Sequence, residues 1–64
     1  MTYKYYCVHR PPMPGAIPNR GIIEIKDNDR RERMEGSPCD VWGYVVYDRE
    51  LTEKEISDYE LLKA

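Results

Sequence analysis

Cys39-Asp40-Val41-Trp42-Gly43-Tyr44-Val45-Val46-Tyr47 is the stretch whose reading decides the fold. Six of its nine residues are valine, tyrosine or tryptophan, side chains that fit a pleated surface. A period of two places Val41, Val45 and Tyr47 on one face and Trp42, Tyr44 and Val46 on the other. Both faces are apolar, so this strand belongs in the middle of a sheet. Gly43 inside it marks a bulge or the close approach of another backbone.

Downstream lies a helix with a clear start. Thr52-Glu53-Lys54-Glu55 has the form of a capping box, in which Thr52 satisfies the Glu55 amide and Glu55 reaches back to the amide of Thr52. Leu51 and Ile56 flank the box as a hydrophobic staple, and Glu53 and Glu55 face the positive end of the helix dipole. Ile56, Tyr59 and Leu62 follow at spacings of three and form the stripe expected to be buried, with Leu61 well off it. Upstream, Ile22–Lys26 reads as a short second strand and Tyr3–His9 as a first, which Arg10-Pro11-Pro12 ends because proline gives no N–H to a ladder. Pro11–Gly21 holds four prolines and two glycines. It predicts a stiff, shaped loop with Pro14-Gly15 in a type II turn. Asp27–Pro38 is charged and aperiodic, and is expected to be an exposed hairpin connection or irregular turn. The fold class is therefore α+β, a three-stranded antiparallel sheet with a C-terminal helix packed on one face (βββα), in a single domain over residues 1–64.

At 64 residues the chain buries only about 60% of the surface its unfolded form exposes. A second source of stability is expected, and two cysteines, Cys7 and Cys39, are too few for a disulfide scaffold. No secretory h-region precedes them, so free thiols in a cytoplasmic setting are expected. No apolar run approaches the ~18 residues that span a membrane, so no membrane association is expected. The net charge is −2 but uneven: residues 1–33 carry seven bases against four acids, and residues 48–64 six acids against three bases. Such halves steer association or pair with each other.

The chemistry-bearing residues form no strong motif. Cys7 and His9 share a strand face, but residues two apart lie roughly 6.5–7 Å from each other, too far for a nucleophile and its base. Zinc on Cys7, His9 and Cys39 would lack a fourth ligand and any C-x-x-C pairing. The bland reading, cysteine as a small core residue, is preferred, and no catalytic residue, cofactor or metal is expected. No phosphate-cradling glycine pattern occurs. Pro11-Pro12-Met13-Pro14 matches a P-x-x-P spacing, which in four residues is better read as a rigid loop. Arg30-Arg31-Glu32-Arg33, with six tyrosines and a tryptophan to stack on, would suit a single-stranded nucleic acid. The sequence pI of about 5.3 disfavours that partner.

Two segments carry a resemblance: His9-Arg10-Pro11-Pro12-Met13-Pro14-Gly15-Ala16-Ile17-Pro18 and Gly43-Tyr44-Val45-Val46-Tyr47-Asp48-Arg49-Glu50-Leu51-Thr52. Together they resemble short uncharacterised proteins carried by bacterial mobile elements and phages. The resemblance implies an accessory role toward a host machine and no particular site residues.

One helix stripe covers one face of three strands, which leaves an aromatic face free. The expectation is a small non-enzymatic protein-interaction or accessory module, with a homodimer or another protein as partner. Tyr5, Arg10, Met13, Trp42, Tyr44 and Leu61 form its candidate surface. The alternative is a single-stranded nucleic-acid binder using the Tyr and Trp rings and the Arg30–Arg33 turn.

Overall fold

The computed structural model describes residues 1–64. Strands β1 (Tyr3–Cys7), β2 (Ile22–Arg33) and β3 (Asp40–Tyr47) are followed by helix α1 (Glu53–Asp58) and strand β4 (Leu61–Lys63). The four strands form one antiparallel sheet in the order β2-β3-β1-β4. Strand β3 is internal, as its two apolar faces require. The α+β class holds, but the sheet has four strands where three were expected.

The extra strand corrects the reading of the C-terminus. The 3.0-type spacing of Ile56, Tyr59 and Leu62 implied a helix through Leu62, whereas α1 ends at Asp58 and Glu60 takes a left-handed φ of 54°. Leu61–Lys63 then turns back to pair with Cys7, Tyr6 and Tyr5. The physical cause is β1 itself. Tyr5, Tyr6 and Cys7 are at most 2% exposed, and backbone groups buried to that degree need partners on both sides. Leu61, placed off the buried stripe by helical spacing, is in the core as a result.

Strand β2 is also longer than Ile22–Lys26. Its register against β3 runs from Ile22 opposite Tyr47 to Asp27 opposite Gly43, with Ile23 as an extra, bulged residue. It resumes at Glu32 opposite Val41, so Asn28–Arg31 arch away opposite Trp42. Asp29 sits in the arch at φ 62°, its amide donating to Asp27 Oδ1 at 2.8 Å. Most of this edge is solvated on both faces, which is why the segment shows no apolar period. Two turns are type II, with the i+3 amide on the i carbonyl and a glycine at positive φ. They are Met13–Ala16, as the Pro14-Gly15 pair predicts, and Met34–Ser37.

The core gathers Tyr5, Cys7, Ile17, Val45, Tyr47, Leu51 and Leu61. Tyr5 and Tyr47 meet edge to face at 6.0 Å. Each buried phenol is used: the Leu51 amide donates to Tyr5 Oη (3.0 Å), and Tyr47 Oη donates to the Pro18 carbonyl (2.6 Å). The helix is not the main cover of this face, since none of its residues is fully buried. The proline-rich loop supplies Ile17, and the segment before the helix supplies Leu51, with Ile56 and Tyr59 half-buried against them. Trp42 also packs on this core and does not lie free with Tyr44.

The capping box is fully formed: the Glu55 amide donates to Thr52 Oγ1 at 3.1 Å, and the Thr52 amide to Glu55 Oε1 at 3.0 Å. In a helix of six residues the cap is a large share of the local stabilisation. Thr52→Ala is expected to lower stability by about 1 kcal/mol in a denaturant melt, and coincident curves would place the helix start elsewhere.

Candidate functional site

The main concavity is a cleft of about 530 Å³ between α1, β4 and the chain leaving β1. Val8, Ile56, Leu61 and Leu62 give it an apolar lining, and His9, Glu53, Ser57 and Glu60 give it polar groups. The left-handed turn that ends α1 builds one wall. Glu60 occupies the φ > 0 position after the helix, where glycine would be free of the Cβ penalty. Its carboxylate is used instead: Arg10 Nη2 pairs with Glu60 Oε1, and His9 Nε2 stands 3.9 Å from Glu60 Oε2. The basic front and acidic tail of the chain therefore meet here, at least in part. All three side chains are roughly half exposed, which keeps the pairing weak and exchangeable.

The cysteines divide between environments. Cys39 lines the cleft, while Cys7 is 2% exposed in the core, where burial and the nearby Asp27 push its thiol up to about 11. A thiol held protonated at neutral pH is a poor nucleophile. No group of three or more His, Cys, Asp or Glu side chains comes together as a metal site.

The candidate surface read from the sequence is dispersed. Tyr5, 0% exposed, presents nothing to a partner, whereas Leu61, 8% exposed, contributes only as part of the cleft lining. Arg10 stands beside the cleft through Glu60, and Met13, 53% exposed, lies away from it on the type II turn. Tyr44 is half-buried on the second sheet face, with Lys4 Nζ 4.2 Å from its ring centroid and its hydroxyl donating to Glu24 Oε2 at 3.1 Å. Tyr6, also on this face, is buried and donates to the Glu35 carbonyl (3.1 Å). The cleft was not legible from sequence. Its lining residues are scattered over four segments, and only the folding-back of β4 brings Leu61 and Leu62 to α1.

A second cluster fixes the entry to α1. Arg49 grips Glu55 with two bonds, Nη1 to Oε1 at 3.0 Å and Nη2 to Oε2 at 2.9 Å, and its Nε donates to the Arg20 carbonyl at 3.2 Å. The Arg49 bonds first, and the Thr52 amide second, hold the Glu55 carboxyl down to about 2. A depressed carboxylate contributes stability that is complete above its unfolded value of about 4.3 and disappears as pH falls toward 2. Glu55→Gln is therefore expected to be less stable than wild type at pH 6. The two melting temperatures should draw together as pH falls from about 4 through 2, and a gap undiminished at pH 2 would contradict this.

The whole chain, residues 1–64, matches the family described as Defence against restriction A C-terminal. The chain belongs to this family. The membership agrees with the phage and mobile-element resemblance of the two sequence segments. No curated protein and no solved structure is significantly similar to it. No helix is long and apolar enough to cross a membrane.

Proposed function

We propose that this chain is a non-enzymatic interaction module serving defence against restriction, and that it seats an apolar side chain of a partner protein in the cleft between α1 and β4. The observation that carries the proposal is the cleft: an apolar lining beside an exchangeable Arg10–Glu60–His9 cluster. Recognition sites combine an apolar bed with a few polar groups that set orientation. The presence of Glu60 at a left-handed position supports the same reading, because a local backbone cost at a site points to use there. The non-enzymatic part is supported by the burial of Cys7 in the core while His9 is exposed, and by the 3.9 Å between His9 Nε2 and Glu60 Oε2, beyond hydrogen-bond reach.

Single-stranded nucleic-acid binding draws less support. Stacking needs free ring faces, whereas Tyr5, Tyr6 and Tyr47 are buried, Trp42 packs on the core and Lys4 covers Tyr44. Among the arginines, Arg30 bonds Glu32 (3.1 Å) and Arg31 bonds the Asp40 carbonyl (3.3 Å).

The test is affinity capture from native extract with wild type and Ser57→Trp. Ser57 is exposed on α1 and lines the cleft, so an indole there fills it without removing a core residue. The proposal expects a protein retained by wild type and lost by the variant at unchanged melting temperature. Capture indifferent to Ser57→Trp would reject the cleft as the binding site, and a salt-sensitive oligonucleotide shift would favour the alternative.

A further inference from the structure

Strand β2 is an edge of the sheet, paired only with β3. Its arch and its bulge leave Glu24-Ile25-Lys26-Asp27 as a regular, open stretch between them. The direction of its backbone can be read from Gly43. A Cβ at Gly43 would collide with the Lys26 carbonyl oxygen, so that carbonyl points toward β3. In a strand the N–H and C=O of one residue point to the same side and neighbouring residues alternate. Ile25 and Asp27 therefore turn their backbone groups outward, to the open edge. Ile25 and Ile23 are also 45% and 54% exposed, large apolar side chains on an unpaired strand. An edge of this kind is a template for another strand.

We infer that the β2 edge pairs antiparallel with the β2 edge of a second copy of this chain, about a two-fold axis through Ile25. The choice of a second copy rests on charge complementarity in that register. With Ile25 opposite Ile25 of the second copy, each Glu24 lies directly across from the other copy's Lys26. The two isoleucines form an apolar contact on one face, and two opposite-charge pairs form on the other. Glu24 has an oxygen to spare, because Tyr44 engages only Oε2. Sliding the register by one residue puts Glu24 across from Ile25 in one direction and from Asp27 in the other, and loses both pairs in either case. The isologous geometry closes on itself, giving an eight-stranded sheet and no open filament. This surface is separate from the α1–β4 cleft, so the dimer stands or falls independently of the partner proposed there. It also relocates the added source of stability expected of so short a chain.

The experiment is sedimentation equilibrium of the full chain up to a few hundred micromolar, for wild type, Glu24→Lys, Lys26→Glu and the double exchange. Wild type is expected at twice the chain mass of 7.6 kDa. Each single reversal sets like charges opposite each other twice and is expected to weaken the dimer about tenfold. The double exchange restores opposite pairs and is expected to recover dimerisation. Thermal melts confirm that the variants fold, since both side chains are exposed. A monomeric wild type overturns the inference, as do single reversals without effect or a folded double exchange that remains monomeric. A concentration-dependent slowing of exchange at the Ile25 amide would locate the contact at this edge, and its absence in a dimer would place the interface elsewhere.

Discussion

Gly43→Ala is expected to destabilise the chain by about 3 kcal/mol, at the upper end of overpacking effects. The methyl group would enter the space held by the Lys26 carbonyl, and the obstacle is backbone on both sides. No rotamer change relieves it, so β2 must move away from β3 along the part of the ladder that leads into the arch. The φ of 154° at Gly43 lies outside the usual strand range and adds to the cost. Urea unfolding measures the effect, and a midpoint within error of wild type would mean that β2 and β3 are not so closely apposed. Mixed with the dimer test, the variant has a further use: displacing β2 should also weaken any pairing through its outer edge.

Tyr47→Ala should cost about 4 kcal/mol, within the range for emptying a large aromatic site. Tyr47 is 0% exposed, carries the edge-to-face contact with Tyr5, and donates to the Pro18 carbonyl. That hydrogen bond is one of the ties holding the proline-rich loop on the core. Burial pushes the Tyr47 phenol up in pKa, so the hydroxyl stays a donor throughout the accessible pH range. Tyr47→Phe separates the terms. It keeps the ring and leaves the carbonyl without its partner, and should lose about 1–2 kcal/mol. If Phe and Ala variants melt together, the hydroxyl and not the ring is what secures the loop.

What was legible in the sequence follows from how local its signals are. The capping box of Thr52 and Glu55, the Pro14-Gly15 turn and the central position of β3 each rest on a few adjacent residues. All three are present in the structure. Leu61–Lys63 failed the same approach because three residues cannot display a period, and because its conformation is set by the needs of β1, more than fifty positions away in sequence. Residues 27–33 failed because an edge segment solvated on both faces has no apolar pattern to read. The candidate surface inherited the first error. Once the helix was extended through Leu62, Leu61 looked exposed, and with three strands Tyr5 looked uncovered. The cleft depends on the same turn at Glu60 and was invisible for the same reason.

The position of β1 has a kinetic consequence. It is the first strand of the chain, yet it lies between β3 and β4, whose paired residues begin 36 positions after Cys7. The β2–β3 hairpin needs only a local connection and can form in about 1–10 μs. Seating β1 requires closing a far longer loop before any bond rewards it, and contacts so distant in sequence slow folding toward milliseconds or longer. Assembly should thus begin at the hairpin and finish with β1 and β4. Destabilising changes at Gly43 should slow folding, whereas changes at Leu61 should chiefly hasten unfolding. Stopped-flow chevrons of Gly43→Ala and Leu61→Ala would show this as opposite displacements of the two limbs.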